Sequence, residues 1–293
     1  MSRFLEALYS GRVLLMDGAM GTELQRAGMA DDECYEAWNL THPERVRAVH
    51  QAYAAAGAVC FLTHTFQSNP RALARRGLAD KLETINHAAL DLARSVTGKD
   101  GFVLADIGPI DAAPQSDAME RLDSTFASLG GADVLLLETR PHALHALYAQ
   151  RAKGADVNPR GVPVLLSIAY RRHPAKGSAG FLPEPENVAK LADFCGIDAI
   201  GVNCGRDIGF DEIIEIVRRC RAVTRLPLFA RPNAGTPTRV DNEWIYPQTP
   251  EKMAARLPEL LEAGIAMIGG CCGTTPEHIA AFRPIVEQWN RGR

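Results

Sequence analysis

The sequence lacks several things, and each lack excludes a class of protein. None of its seven cysteines forms a C-x-x-C pair, so the usual dithiol redox motif is absent. Seven is an odd count without framework spacing, which argues against a disulfide scaffold and for free thiols in a reducing cytoplasm. No apolar run reaches the ~18 residues of a membrane span. The opening MSRFLEALYSGRVLLMDGAMG carries no long apolar stretch of the signal-peptide kind. Basic and acidic residues nearly balance, 32 against 35, for a net charge of −3. That composition offers no surface for nucleic acid. No G-x-G-x-x-G follows any apolar run, which counts against a doubly wound nucleotide-binding sheet.

What is present is a recurring unit. A short, continuous apolar run ends in small or polar residues, and a helical pattern follows. The runs are VLLMDGA (Val13–Ala19), AVCFLTHTF (Ala58–Phe66), FVLADIG (Phe102–Gly108), DVLLLET (Asp133–Thr139), PVLLSIAY (Pro163–Tyr170), AIGVNC (Ala199–Cys204), LPLFARPNA (Leu226–Ala234) and IAMIGGCC (Ile265–Cys272). Continuous rather than alternating apolar character suits parallel strands covered on both faces. Between them, HPERVRAVHQAYAAAG spaces Val46, Val49, Tyr53 and Ala56 along one helix face and stops at Gly57. FDEIIEIVRRCRAV repeats the pattern, and Thr249-Pro250 opens a third helix that ends at Gly264. Eight strands alternating with helices over 293 residues predict one α/β domain, residues 1–293, folded as a (β/α)8 barrel. The stretch Arg171–Asn187, rich in Gly, Pro and charge, reads as a long loop after the fifth strand and a candidate lid.

In such a barrel the chemistry gathers at the C-terminal strand ends. Those ends hold Asp17; Thr63, His64, Thr65; Asp106; Glu138; Ser167; Asn203, Cys204; Arg231, Asn233; and Cys271, Cys272. Three thiols and at least two carboxylates therefore meet at one mouth. Gly269, Gly270 and Gly273 free the backbone around the adjacent cysteines, so both sulfurs can face one point, with Cys204 as a third. Three thiolates suit a zinc ion with its fourth position open. By spacing alone, a vicinal disulfide or small buried side chains fit as well. Asp17 and Glu138 equally suit turn or helix caps. Cys34, Cys60, Cys195 and Cys220 read as core packing.

The chain resembles the homocysteine S-methyltransferases, a family that includes betaine– and S-methylmethionine–homocysteine methyltransferases and the homocysteine module of cobalamin-dependent methionine synthase. The matching pieces, in family order, are DGAMGTEL (Asp17–Leu24), THTFQSN (Thr63–Asn69), GPI (Gly108–Ile110), LLLET (Leu135–Thr139), GVNC (Gly201–Cys204), RPNAG (Arg231–Gly235) and GGCCGTTPEHI (Gly269–Ile279). The resemblance implies a (β/α)8 barrel and a zinc-dependent methylation of the homocysteine thiol to give methionine. It implies Zn²⁺ on Cys204, Cys271 and Cys272, the substrate ammonium on Asp17 and Glu138, and its carboxylate near Gly18 and Thr65. No catalytic residue is implied beyond the zinc-activated substrate thiol. The donor would be a small sulfonium or betaine, or a corrinoid- or folate-bearing partner protein, since no module for either group is read in this sequence. The alternatives are another small thiol or selenol as acceptor, or a non-catalytic homocysteine- or zinc-binding subunit. The chain departs from the family pattern at His64, where Asn is usual, and in a short stretch between Pro109 and Glu138.

Overall fold

The computed structural model describes residues 1–109, 115–139, 154, 158, 161–174, 180–205, 207–241 and 243–293. Ile110, the middle of the expected lid (175–179) and the segment 140–153 lie outside the described residues. Each apolar run contains one strand. They are β1 (Leu14–Leu15), β2 (Cys60–Leu62), β3 (Phe102–Ile107), β4 (Val134–Leu137), β5 (Val164–Ala169), β6 (Ala199–Asn203), β7 (Leu228–Ala230) and β8 (Ile265–Ile268). All pair in parallel in the order β1-β8-β7-β6-β5-β4-β3-β2. A single parallel bridge between Met16 and Cys60 joins the two outer strands and closes the barrel.

The period of two along each strand sorts the core into two layers. Met16, Cys60, Leu62, Phe102, Leu104, Val134, Leu136, Leu165, Ala199, Phe229 and Met267 pack together inside the barrel. The alternate residues, such as Phe61, Ala105, Leu135, Leu166, Val202 and Ala230, pack outward against the helices. Gly201 leaves room inside for Phe229; a Cβ at that position would run into the Phe229 ring. The short helix Arg3–Leu8 covers the N-terminal end of the barrel, with Phe4 and Leu8 joined to the inner cluster. Phe4 stands edge-on to Phe102 with ring centroids 5.2 Å apart.

The helices expected from periodicity form at Pro43–Ala56, Phe210–Arg221 and Pro250–Glu262. Gly57 stops the first at φ +102°, a conformation costly for residues with a Cβ. The Thr249 hydroxyl caps the third by accepting the Lys252 amide at 3.4 Å.

The expected long loop Arg171–Asn187 is partly ordered. Arg171–Arg172 pairs antiparallel with Phe181–Leu182, Phe181 is fully buried, and a helix already begins at Pro185. Ion pairs from Arg172 to Glu212 and from Arg219 to Glu184 and Glu186 fasten this segment to the neighbouring helix. Its charges serve this fastening, a use that composition does not distinguish from a solvated loop. A second hairpin, Thr238–Val240 with Glu243–Ile245, was not expected; it follows β7 and rises at the C-terminal face. No helix among the described residues is long and apolar enough to cross a membrane.

Candidate active site

Strand parity carries the inner layer upward into the site. Two residues beyond Leu104, Leu136 and Phe229 stand Asp106, Glu138 and Arg231, all buried. Two beyond Leu165 is Ser167, and four beyond Ala199 is Asn203, also buried. Four beyond Met267 is Cys271. The same alternation that builds an apolar barrel thus aims polar groups into its mouth once the strands pass their last apolar rung.

The cysteine pair lies in a tight turn after β8. Gly269 passes so close to β1 that a Cβ would stand 2.6 Å from the Asp17 carbonyl oxygen. The Gly270 amide donates to that carbonyl at 3.0 Å, and the Cys271 amide to the Pro232 carbonyl at 2.9 Å. The Thr274 hydroxyl then donates back to the Cys271 carbonyl at 2.7 Å. Gly273 has φ +79° and lies against the Tyr246 ring, where a side chain would collide. Glycine is required at these approaches for conformation and for space.

This turn brings the sulfurs of Cys204, Cys271 and Cys272 within 4.8 Å of one another. A tetrahedral Zn–S₃ unit with bonds of about 2.3 Å needs sulfurs roughly 3.8 Å apart, so the trio fits a zinc ion. No disulfide joins them; all seven cysteines are free. Hydrogen bonds from Cys204 and then Cys271 draw the Cys272 thiol down, while the same contacts push Cys204 well above the usual thiol range and Cys271 is raised as well, so the trio on its own favours a single thiolate. Of the remaining cysteines, Cys60, Cys195 and Cys220 are buried as expected, whereas Cys34 is only partly buried.

Beside the thiols lies a knot of charge. The Arg231 guanidinium pairs with Glu138 and stands 3.7 Å from Asp17 Oδ1. Asp17 Oδ2 accepts the Leu62 amide at 2.8 Å. Burial pushes Asp17 up to about 7, against the pull of Arg231 and the Leu62 amide. Burial raises Glu138 to about 7 as well, again opposed by Arg231. Asp106 rises well above the usual carboxylate range, through burial and then the nearby charge of Glu138. Three buried acids share one buried base, so the site favours a cationic ligand.

Thiols and carboxylates line one cavity of about 380 Å³. Gly18 lines it too, and has no room for a side chain: a Cβ there would stand 2.7 Å from the Tyr53 hydroxyl. Thr65 is not part of the lining. Its hydroxyl donates to the Asp106 carbonyl at 2.7 Å and lies 2.6 Å from the Thr63 hydroxyl, so it braces the wall from behind. His64 does line the cavity, but its Nε2 faces the Tyr35 carbonyl at 2.8 Å. A carbonyl only accepts, so Nε2 carries the proton and the ring pins the segment around Tyr35 to the end of β2. Burial lowers its basicity and keeps it neutral.

Three groups gain a place that motif reading did not assign. Arg231 sits inside a matched motif, but its role as the base of the charge knot follows only from inward parity. Trp244 and Tyr246, on and after the unexpected hairpin, form part of the cavity wall. The alternation in RVDNEWIY, with a turn pair at its centre, is the signal that could have found them.

Comparison with known proteins agrees with this geometry. The homocysteine S-methyltransferase family model matches residues 14–286. Methionine synthase from Mycobacterium leprae is 31% identical over 96% of this chain, and that from Mycobacterium tuberculosis 31% over 92%. The chain spans about a quarter of the length of these relatives, 25% and 24%. Among solved structures, the metallated form of the homocysteine methyltransferase MmuM from Escherichia coli superposes with a TM-score of 0.74 at 26% identity. That match covers 96% of this chain and 99% of the other. A methyltransferase from Methanosarcina mazei, 17% identical with a TM-score of 0.63, shares the fold. A family match over nearly the whole barrel places the chain in the homocysteine S-methyltransferase family.

Proposed function

We propose that this chain methylates the thiol of homocysteine to give methionine, and that it works in the cytoplasm, where its thiols stay reduced. One observation carries the reading: three mutually close cysteine sulfurs share a cavity with buried carboxylates that outnumber their buried base. That pairing suits a ligand with a thiol at one end and an ammonium at the other. Cys204, Cys271 and Cys272 would hold Zn²⁺, which supplies a Lewis acid that keeps a bound thiol deprotonated at neutral pH. Asp17 and Glu138 accept the ammonium, and the main chain at Gly18 lies against the substrate carboxylate. Arg231 holds Glu138 in place and limits the repulsion among the acids.

With the amino-acid end fixed, the substrate sulfur attacks the donor methyl carbon in line. A sulfur–carbon bond forms as the bond from carbon to the donor breaks, and the electron pair leaves with the donor. The protein's share is orientation and exclusion of water, which can supply several kcal/mol of barrier lowering. The donor enters past Trp244 and Tyr246, as a small sulfonium or betaine or on a corrinoid- or folate-bearing partner protein.

The test is metal analysis with X-ray absorption on the purified chain. One zinc per chain, gaining one sulfur neighbour when homocysteine is added, is the expected result. Absence of zinc, or a sulfur shell unmoved by homocysteine, would remove this reading.

A further inference from the structure

Asp106 is the carboxylate left over when the site's partners are assigned. It is 6% exposed, and its Oδ1 has no hydrogen-bond partner among the described residues. A buried, unpaired carboxylate oxygen is costly, so one lining a ligand cavity marks a contact completed by the ligand. The main chain of Asp106 is held from behind. Its amide donates to the Thr63 hydroxyl at 3.0 Å, and its carbonyl accepts from the Thr65 hydroxyl at 2.7 Å. The Glu138 amide donates to the adjacent Ile107 carbonyl at 3.0 Å, so the two acids sit on neighbouring strand ends.

The electrostatic neighbours of Asp106 are Glu138, Arg231, Asp17 and Cys271. It therefore faces the same space as the charge knot and the thiols. Arg231 is already engaged with Glu138 and Asp17. Asp17 Oδ1 is the other fully buried carboxylate oxygen there without a hydrogen-bond partner among the described residues. A primary ammonium carries three N–H donors in a tripod. Asp17, Glu138 and Asp106 offer it one carboxylate each.

We propose that Asp106 is a substrate-specificity residue: it accepts the third N–H of the substrate ammonium and so selects a primary α-amino thiol over thiols lacking that group. The inference rests on the homocysteine reading of this cavity. Zn-loaded wild type, Asp106→Ala and Asp106→Asn are titrated by calorimetry with homocysteine and with its des-amino analogue, γ-mercaptobutyrate. Asp106→Asn keeps the shape of the side chain and guards against loss of the fold.

The expected result for Asp106→Ala is a roughly ten- to hundredfold fall in the preference for homocysteine, the scale of a hydrogen bond to a charged group. Affinity for the analogue holds or improves. Asp106→Asn loses less, because its amide oxygen still accepts. In turnover, KM for homocysteine rises while kcat at saturation holds, a split that a merely structural role would not produce. Unchanged preference in both variants, or equal loss for both ligands, overturns the role of Asp106 alone. Wild type that binds neither ligand removes the homocysteine reading and this inference with it.

Discussion

At the N-terminal end of the strands, Phe4 stands edge-on to Phe102, and Arg3 lies over the same ring while donating to the Lys99 and Gly101 carbonyls. Apolar residues fill the barrel there to the last rung. At the C-terminal end the same eight strands deliver three buried carboxylates, a buried guanidinium and three thiols, of which Cys271 is buried, Cys204 half-buried and Cys272 exposed. The first end gains free energy by burial. The second spends it, because ionisable groups are desolvated with too few partners. Stability and ligand chemistry are thus largely separated along the barrel axis, with Asp17 the exception, and substitutions at the two ends should fail in different ways.

The largest expected effect lies at the upper end. Cys271→Ser should lose zinc and with it turnover by orders of magnitude, while chemical denaturation shows little change in the metal-free protein. Retained zinc and turnover would break the comparison. At the lower end, Phe4→Ala should cost about 3 kcal/mol of stability, the scale of removing a buried aromatic ring. Homocysteine affinity should hold, and a matching loss of affinity would show that the two ends are not separable.

The smallest effect concerns Glu138. Its folded-state pKa of about 7 lies above the ordinary 4.5, so the folded chain binds this proton more tightly than the unfolded chain. Stability from the protonated form is fully present below about 4.5 and is lost as pH rises through about 7. Glu138→Gln cannot lose that proton. Relative to wild type it should gain stability, roughly 2 kcal/mol, between about pH 5 and about pH 8, as read by urea unfolding. The same variant should bind homocysteine more weakly. A gap that does not grow with pH would mean that Arg231 compensates Glu138 in full.

The barrel was legible because its strands are covered on both faces, and that leaves unbroken runs such as FVLADI and VLLSIA. The cysteines were legible because a pair between glycines is rare and the turn needs those glycines. Arg231 was harder. An arginine in sequence looks like a surface residue, and only its two-residue spacing from Phe229 puts it inside. Asp106 stood at a recognised strand end, yet that its Oδ1 has no hydrogen-bond partner among the described residues depends on which neighbours Arg231 chooses. Thr65 looked like a substrate contact because it sits in a matched motif; its hydroxyl is taken by the main chain behind the wall. The Trp244 hairpin escaped because its strands are three residues each and largely solvent-facing, with little burial to impose a pattern.

The closing bridge between Met16 and Cys60 has one further consequence. Next to it, Asp17 Oδ2 accepts the Leu62 amide, so a side-chain carboxylate acts as the last stitch in the seam between the first and second strands. The other oxygen of that carboxylate stands 3.7 Å from Arg231, in the wall of the cavity that holds the thiols. Filling the pocket and sewing the barrel shut are therefore tasks of a single functional group. Replacing Asp17 disturbs both together, whereas replacing Glu138 leaves the seam intact.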